Sequence, residues 1–124
     1  MAKEEPQYWV VGATTKGQDM IDYFVNHGFW FGDKPEVQDT IEKIRPSDRI
    51  AIKRMIGRGA KEVAIHAIGV VEEVQNHKAL PIKMIYVRWI HLPEDRKVPF
   101  GGFGGTIHGP YSKTEPKMQE IFML

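Results

Sequence analysis

Aromatic rings and cations come together in residues 29–56. Three aromatics stand in a row at positions 29–31, and Lys53 and Arg54 follow on an alternating apolar segment that is typical of a half-buried strand. Aromatic faces beside cations are suited to stacking a planar ligand that carries phosphate, such as a nucleotide. Core packing is the competing interpretation, because adjacent aromatics more often fill the interior of a protein than bind a ligand.

Trp30 is the ring in this row that we single out as a candidate binding residue. Consecutive side chains in an extended segment point to opposite sides. Phe29 and Phe31 can then belong to the core while Trp30 faces elsewhere. The alternation therefore predicts that Trp30, rather than either neighbour, contributes to a site.

Two loops could complete such a site. An apolar run over residues 8–13 predicts a buried strand, and the loop after it is rich in hydroxyl groups and carries Lys16. Residues 98–111 contain five glycines, two phenylalanines and one tyrosine. Glycine allows a close approach between the backbone and a ligand. A surface loop with its aromatics packed on the core is the alternative interpretation of this segment.

Hydrophobic periodicity predicts the elements that position these residues. The predicted strands are residues 8–13, 48–56, 63–71 and 82–92, and the predicted helices are residues 19–27, 37–44 and 116–124. The strands at 48–56 and 63–71 are expected to pair as an antiparallel hairpin. Residues 93–97 are expected to form an exposed turn, and Gly69 to mark a bulge or a close backbone approach.

Composition limits the classes of protein that this chain can belong to. A length of 124 residues predicts a single domain, residues 1–124. The formal net charge of +1 argues against a large electrostatic footprint, so nucleic-acid binding would depend on a local basic patch. Cysteine is absent, which excludes a disulfide framework and thiolate chemistry. The polar N-terminus and the lack of a long apolar run predict a cytoplasmic protein without membrane association.

Known catalytic and cofactor motifs are missing from the sequence. The glycine-rich stretch lacks the Gly-Lys-Ser/Thr ending of a phosphate-binding loop, and no long helix follows it as a dinucleotide site requires. The five histidines are scattered and give no His-x-x-x-His pair, so no metal site is predicted. Ser47 and Ser112 lie in turn-like contexts, which gives little support to a nucleophilic triad. We therefore expect a binding module without a cofactor rather than an enzyme.

Several short segments, taken in order, resemble the EVE and YTH domains of the PUA-like superfamily. The resemblance is greatest to the EVE-type N-terminal domains attached to McrB-like AAA+ restriction proteins. One of the matching segments begins at Ser47, where the family usually has glycine. The segments that carry the resemblance are residues 8–14, 28–30, 47–53, 67–71, 86–90 and 105–107.

The resemblance implies an α+β fold, a small curved β-barrel of five to six strands with two or three flanking helices. It also implies a pocket that accepts a flipped, often methylated, base. Trp30 falls on the aromatic wall of that pocket, and Gly12, Ala13 and Thr14 fall on the loop that meets the base edge. The loop at residues 76–80 lacks the second cage aromatic of YTH relatives, so either Phe100, Phe103 or Tyr111 supplies the second wall or that wall is missing. The cations that could hold flanking phosphates are Lys16, Lys53, Arg54, Arg58 and Lys61.

Three functions are open, in decreasing order of preference, and the first two are implied by the resemblance. The first is a DNA-binding domain that reads a modified base and targets a nuclease subunit or an attached AAA+ domain. The second is an RNA-binding reader of the same superfamily. The third is a protein-interaction or small-molecule module without nucleic-acid binding.

Overall fold

The computed structural model describes residues 5–15, 18–32, 34–56, 61–76, 82–99 and 106–123. Within these segments the chain forms eight strands and three helices. The strands are β1 (Tyr8–Gly12), β2 (Thr14–Thr15), β3 (Gln18–Asp19), β4 (Phe29–Trp30), β5 (Arg49–Met55), β6 (Glu62–Asn76), β7 (Lys83–Pro99) and β8 (Ile107–Tyr111). The helices are α1 (Ile21–His27), α2 (Pro35–Ile41) and α3 (Pro116–Phe122).

Six of the strands form one mixed sheet in the order β4-β7-β6-β5-β1-β8. Strands β5, β6 and β7 pair antiparallel, whereas β1 runs parallel to β5. The sheet curls into a half-barrel. Strands β2 and β3 form a separate two-stranded hairpin. The predicted α+β class is thus confirmed at this level, as a curved six-stranded sheet with three helices.

Both faces of the sheet are covered, which explains the continuous apolar run in β1. Alternate residues of a strand point to opposite faces, so Trp9 and Val11 join one buried cluster while Tyr8 and Val10 join another. The first cluster packs against α1 and α2, and the second packs against α3. A strand that is buried on both sides loses the polar alternation of a half-exposed one.

The local pairing of β5 and β6 agrees with the sequence. Met55 lies opposite Val63, so the predicted antiparallel hairpin is confirmed. Gly69 marks the close approach expected of it, because a Cβ atom there would lie 2.6 Å from Cγ1 of Val87 and 2.8 Å from the carbonyl oxygen of Arg88. The bulges of β6 lie elsewhere, at the register shifts between Ile65 and Ala67 and between Val71 and Glu73.

The predicted exposed turn at residues 93–97 is wrong. Strand β7 continues through these residues to Pro99, because β6 is long enough to supply hydrogen-bonding partners up to that point. Residues 92–95 instead form a bulge in the pairing of β7 with β6, at the register shift between Ile65 and Ala67, and the strand does not end there. The glycine-rich segment was expected to be a loop, yet its last part forms β8, which pairs with β1 at the edge of the sheet.

Candidate functional site

Gly12 lies where β1 ends, and both of its main-chain polar groups are hydrogen-bonded. Its N–H donates to the carbonyl oxygen of Thr106 at 2.7 Å, and its own carbonyl oxygen accepts the indole N–H of Trp30 at 2.8 Å. In the parallel ladder it stands opposite Lys53. The structure therefore brings three of the predicted site residues together.

The predicted orientation of the aromatic row is wrong. The side chain of Trp30 has no exposed surface, whereas Phe29 and Phe31 are only partly buried. Trp30 reaches across the sheet to the carbonyl oxygen of Gly12 in β1, while Phe29 and Phe31 pack on Phe24 of α1. A ring in this position has no free face, so in this conformation Trp30 cannot serve as the stacking wall.

The segment after β1 is held in place by a main-chain hydrogen bond and by the carboxylate of Asp19. Ala13 is buried, and its carbonyl oxygen accepts the N–H of Met20 at 2.7 Å, which closes the β2–β3 hairpin. Asp19 accepts the N–H of Ile21 at 2.9 Å with one oxygen and the Nε of Arg54 at 2.7 Å with the other. The backbone of Thr14 lies in this hairpin. Lys16 lies outside the described residues.

Lys53 is buried, with 4% of its surface exposed. Burial disfavours the charged form and lowers the pKa of its amine from the usual value. The contact found for Nζ is the sulfur of Met55 at 4.0 Å, and no carboxylate pairs with it among the described residues. The end of β5 therefore carries a desolvated amine that has no counter-charge within the described part of the chain.

Other cations lie at the same end of the sheet. Arg54 and Lys97 both stand opposite Ala64, one on each side, and Lys61 is exposed just before β6. Lys97 was missed by sequence reasoning because residues 93–97 were interpreted as a turn. Arg58 lies outside the described residues.

Tyr111 does not join Trp30. It stands opposite Tyr8 and packs on the cluster that contains α3, on the other face of the sheet. There it lines an open cleft of about 350 Å³ together with Arg45. Burial and the nearby carboxylate of Glu115 raise the pKa of its hydroxyl. The predicted pairing of Tyr111 with Trp30 in one pocket is thus wrong, and Phe103 lies outside the described residues.

The indole of Trp89 has an N–H that sequence reasoning did not notice. Its nitrogen is shut off from solvent and has no acceptor within the described segments. The ring packs against the same cluster as Trp30. An unpaired buried donor costs about 1–3 kcal/mol.

Comparison of the chain with models of known protein families gives no match, and comparison with curated proteins gives none either. None of the helices in the described part of the chain is long and apolar enough to cross a membrane.

Proposed function

We propose that this domain binds nucleic acid, DNA in preference to RNA, and reads a modified, unstacked base. Phosphates would lie at the basic end of the sheet, defined here as Lys53, Arg54, Lys61 and Lys97. The base would enter beside the Gly12–Ala13 strand end. The order of short motifs that resemble EVE domains supports this proposal, as does the curved sheet with flanking helices.

The observation that carries the proposal is the buried amine of Lys53, the residue that pairs with Gly12, for which the described residues offer no carboxylate partner. A buried ammonium group without a paired carboxylate is unfavourable. A phosphate oxygen would supply the missing negative charge, and exposed Lys61 and Lys97 would extend the contact along the backbone of a strand. Phosphate contacts position a nucleic acid and leave base recognition to other groups.

Trp30 has a different role in this proposal from the one expected from the sequence. It forms the floor of the site and fixes the carbonyl group of Gly12 through its indole N–H. Because unstacking a base costs a few kcal/mol, some other aromatic ring must stack on it. Phe100 and Phe103, which both lie outside the described residues, remain the candidates for that wall.

Charge reversal at the basic end tests the phosphate part of the proposal. Lys61→Glu and Lys97→Glu should each weaken binding of a fluorescent duplex about equally for every sequence, and should reduce the slope of log K against log salt by about 1. Lys43→Glu is the matched control, because Lys43 is exposed and precedes β5 at the opposite end of that strand. Equal losses for all three variants would refute a localised phosphate site.

Matched oligonucleotides test the base-reading part. The comparison uses duplexes with unmodified, N6-methyladenine, 5-methylcytosine or 5-hydroxymethylcytosine sites, and RNA of the same sequence, at two salt concentrations. We expect a preference for one modified DNA that persists at the higher salt concentration. Tighter binding to RNA would indicate a contact to the 2′-hydroxyl group and favour an RNA-binding reader. No binding at low salt, where electrostatic attraction is strongest, would refute the whole proposal.

Delivery of a nuclease to the bound site rests on the resemblance alone. We propose that a covalently attached AAA+ domain or a separate nuclease subunit acts at the site that this domain recognises. Co-purification of the domain with a nuclease from its own source would support this part, and the domain's own binding assays do not depend on it.

A further inference from the structure

Four titratable side chains meet on the sheet beside α1, and none of them was assigned to nucleic-acid binding above. Nδ1 of His66 lies 3.0 Å from an oxygen of Asp95, and Nε2 of His66 lies 3.2 Å from Nε2 of His91. An oxygen of Asp22, in the first turn of α1, lies 3.9 Å from Nε2 of His66. The cluster joins three elements, β6, β7 and α1.

An irregularity in the ladder brings these residues together. Ile65 stands opposite Arg96 while Ala67 stands opposite His91, so residues 92–95 of β7 face the single residue His66. Bulges of this kind bend a strand and re-aim its side chains. The excursion of β7 carries Asp95 back to His66, next to the ring of His91.

Asp95 determines which nitrogen of His66 is free. An ionised carboxylate can only accept a hydrogen bond, so the proton of His66 stands on Nδ1. Nε2 then presents its lone pair towards Nε2 of His91. A carboxylate that holds the far nitrogen of a histidine in this way is the usual support of a metal-bound imidazole.

We propose that His66 and His91 bind a zinc ion through their Nε2 atoms, with Asp22 as the third ligand. Two nitrogens bound to zinc at about 2.0–2.1 Å in tetrahedral geometry lie about 3.3–3.4 Å apart. The observed separation of 3.2 Å is close to that value. In the metal-free protein this contact is a hydrogen bond, in which Nε2 of His91 donates to Nε2 of His66. Zinc would take the place of the shared proton at nearly the same spacing, with the proton of His91 moved to its Nδ1.

The carboxylate of Asp22 completes the site by a small movement. In the described segments, no three side chains of histidine, cysteine, aspartate or glutamate are already close enough together to hold a metal ion. The side chain of Asp22 is 80% exposed, so it can rotate towards the histidine pair at little cost. Two imidazoles and one carboxylate leave a fourth tetrahedral position for water or for a ligand atom. Imidazole nitrogen favours zinc over Mg²⁺ or Ca²⁺, which prefer oxygen ligands.

Zinc titration of the whole chain tests this site, with competition against a chromogenic chelator as the readout. The wild type should bind one zinc ion, and His66→Gln and His91→Gln should each weaken binding more than tenfold. Asp95→Asn should weaken it by about 10–100-fold, as expected for a residue that orients a ligand. His27→Gln is the matched control, since His27 is exposed on α1 and packs on Tyr23 outside the cluster.

Two further readouts make the outcome decisive. Zinc should raise the melting temperature of the wild type and of His27→Gln but not of His66→Gln, and unfolding in chelator shows whether each variant is folded. In NMR spectra, zinc should shift Nε2 of His66 while Nδ1 keeps its proton. Failure of the wild-type protein to take zinc from the chelator, or equal affinity in the wild type and both histidine variants, would overturn the proposal.

Discussion

The buried amine of Lys53 is expected to lower the stability of the free domain and to strengthen its binding to phosphate. Without a ligand, its burial next to a thioether costs free energy in the folded state, because no carboxylate among the described residues offsets the lost hydration. With a phosphate bound, the same desolvation strengthens the attraction between the two charges. A residue of this kind is expected to stabilise a complex more than it stabilises the free domain.

Lys53→Met should therefore stabilise the free domain and weaken nucleic-acid binding. Methionine keeps an unbranched chain of similar length and removes the buried ammonium group. Urea unfolding of the wild type and the variant gives the first effect, and duplex binding gives the second. Lys61→Met is the control, because it removes an exposed amine and should weaken binding without a comparable gain in stability.

The stability gain should depend on pH in a defined direction. The folded-state pKa of Lys53 lies below the ordinary 10.5 of the unfolded chain. Between these two values the unfolded chain holds a proton that the folded chain lacks, so wild-type stability rises with pH. The advantage of Lys53→Met should then be greatest at pH values below the folded-state pKa of Lys53 and shrink towards pH 10.5. An advantage that grows with pH would show that the amine is stabilised in the folded state.

Trp30 shows what residue-level reasoning can and cannot predict. The resemblance to EVE and YTH domains implies that Trp30 and Gly12 lie in one site, and a hydrogen bond joins these two residues. Alternation along the sequence predicted buried Phe29 and Phe31 and an accessible Trp30, which is the reverse of the observed burial. Alternation shows which residues share a side of a strand, but not which side faces the interior. The approach of β4 to β1 depends on the curl of the whole sheet, which no local pattern contains.

At the scale of elements, the turn before β5 is fixed by one buried carboxylate. Asp48 is 1% exposed and accepts the main-chain N–H groups of Gln7 and Arg45, each at 3.0 Å, and the indole N–H of Trp9 at 3.0 Å. The turn is thereby tied to the start of β1. Its tight shape places Ser47 at a φ of 77°, in the left-handed region.

Ser47→Gly should stabilise the domain. The left-handed region costs a non-glycine residue roughly 1–2 kcal/mol, part of which is offset by the greater backbone entropy that glycine loses on folding. We expect a net gain of about 0.5–1 kcal/mol in the free energy of unfolding, measured in urea. Ser112→Gly is the matched control, because Ser112 is not among the described residues with positive φ and should lose stability. A loss for both variants would mean that the Ser47 side chain matters more than its backbone.

Elements with local partners were predicted well, and those with distant partners were not. The β5–β6 hairpin follows from two adjacent apolar runs with a short connection, and α1 and α3 follow from their periodicity. The parallel pairing of β1 with β5 and the extension of β7 to Pro99 depend on partners far along the chain. The histidine pair of the proposed zinc site belongs to the second group, because His66 and His91 are 25 residues apart and match no spacing motif.

At the scale of the whole molecule, the indole of Trp30 links two strands that are far apart in the curled sheet. Strand β4 stands at one edge of the sheet, while β1 lies near the other edge, with β7, β6 and β5 between them. The hydrogen bond from Trp30 to Gly12 crosses this curve directly. The same interaction joins the floor of the proposed binding site to its loop, so the shape of the sheet and the shape of the site depend on the same contact.

Trp30→Phe should open the sheet at its edges. The carbonyl oxygen of Gly12 would lose its donor, at a cost of about 1–3 kcal/mol, and the smaller ring would leave a cavity that adds to the loss. Hydrogen exchange gives the local readout. The amide of Val87, which donates to Gly28 beside β4, and the amide of Gly12 should both exchange faster.

Trp9→Phe is the matched control for this change. Trp9 is also fully buried and donates its indole N–H, but to Asp48 at the start of β5 rather than across the curve. Both variants lose one ring and one hydrogen bond, so their global losses of stability should be similar. Only Trp30→Phe should accelerate exchange at Val87 beyond what its global loss explains. If both variants accelerate exchange at Val87 equally, the sheet keeps its curl without Trp30, and the site's floor must be held by the surrounding core instead.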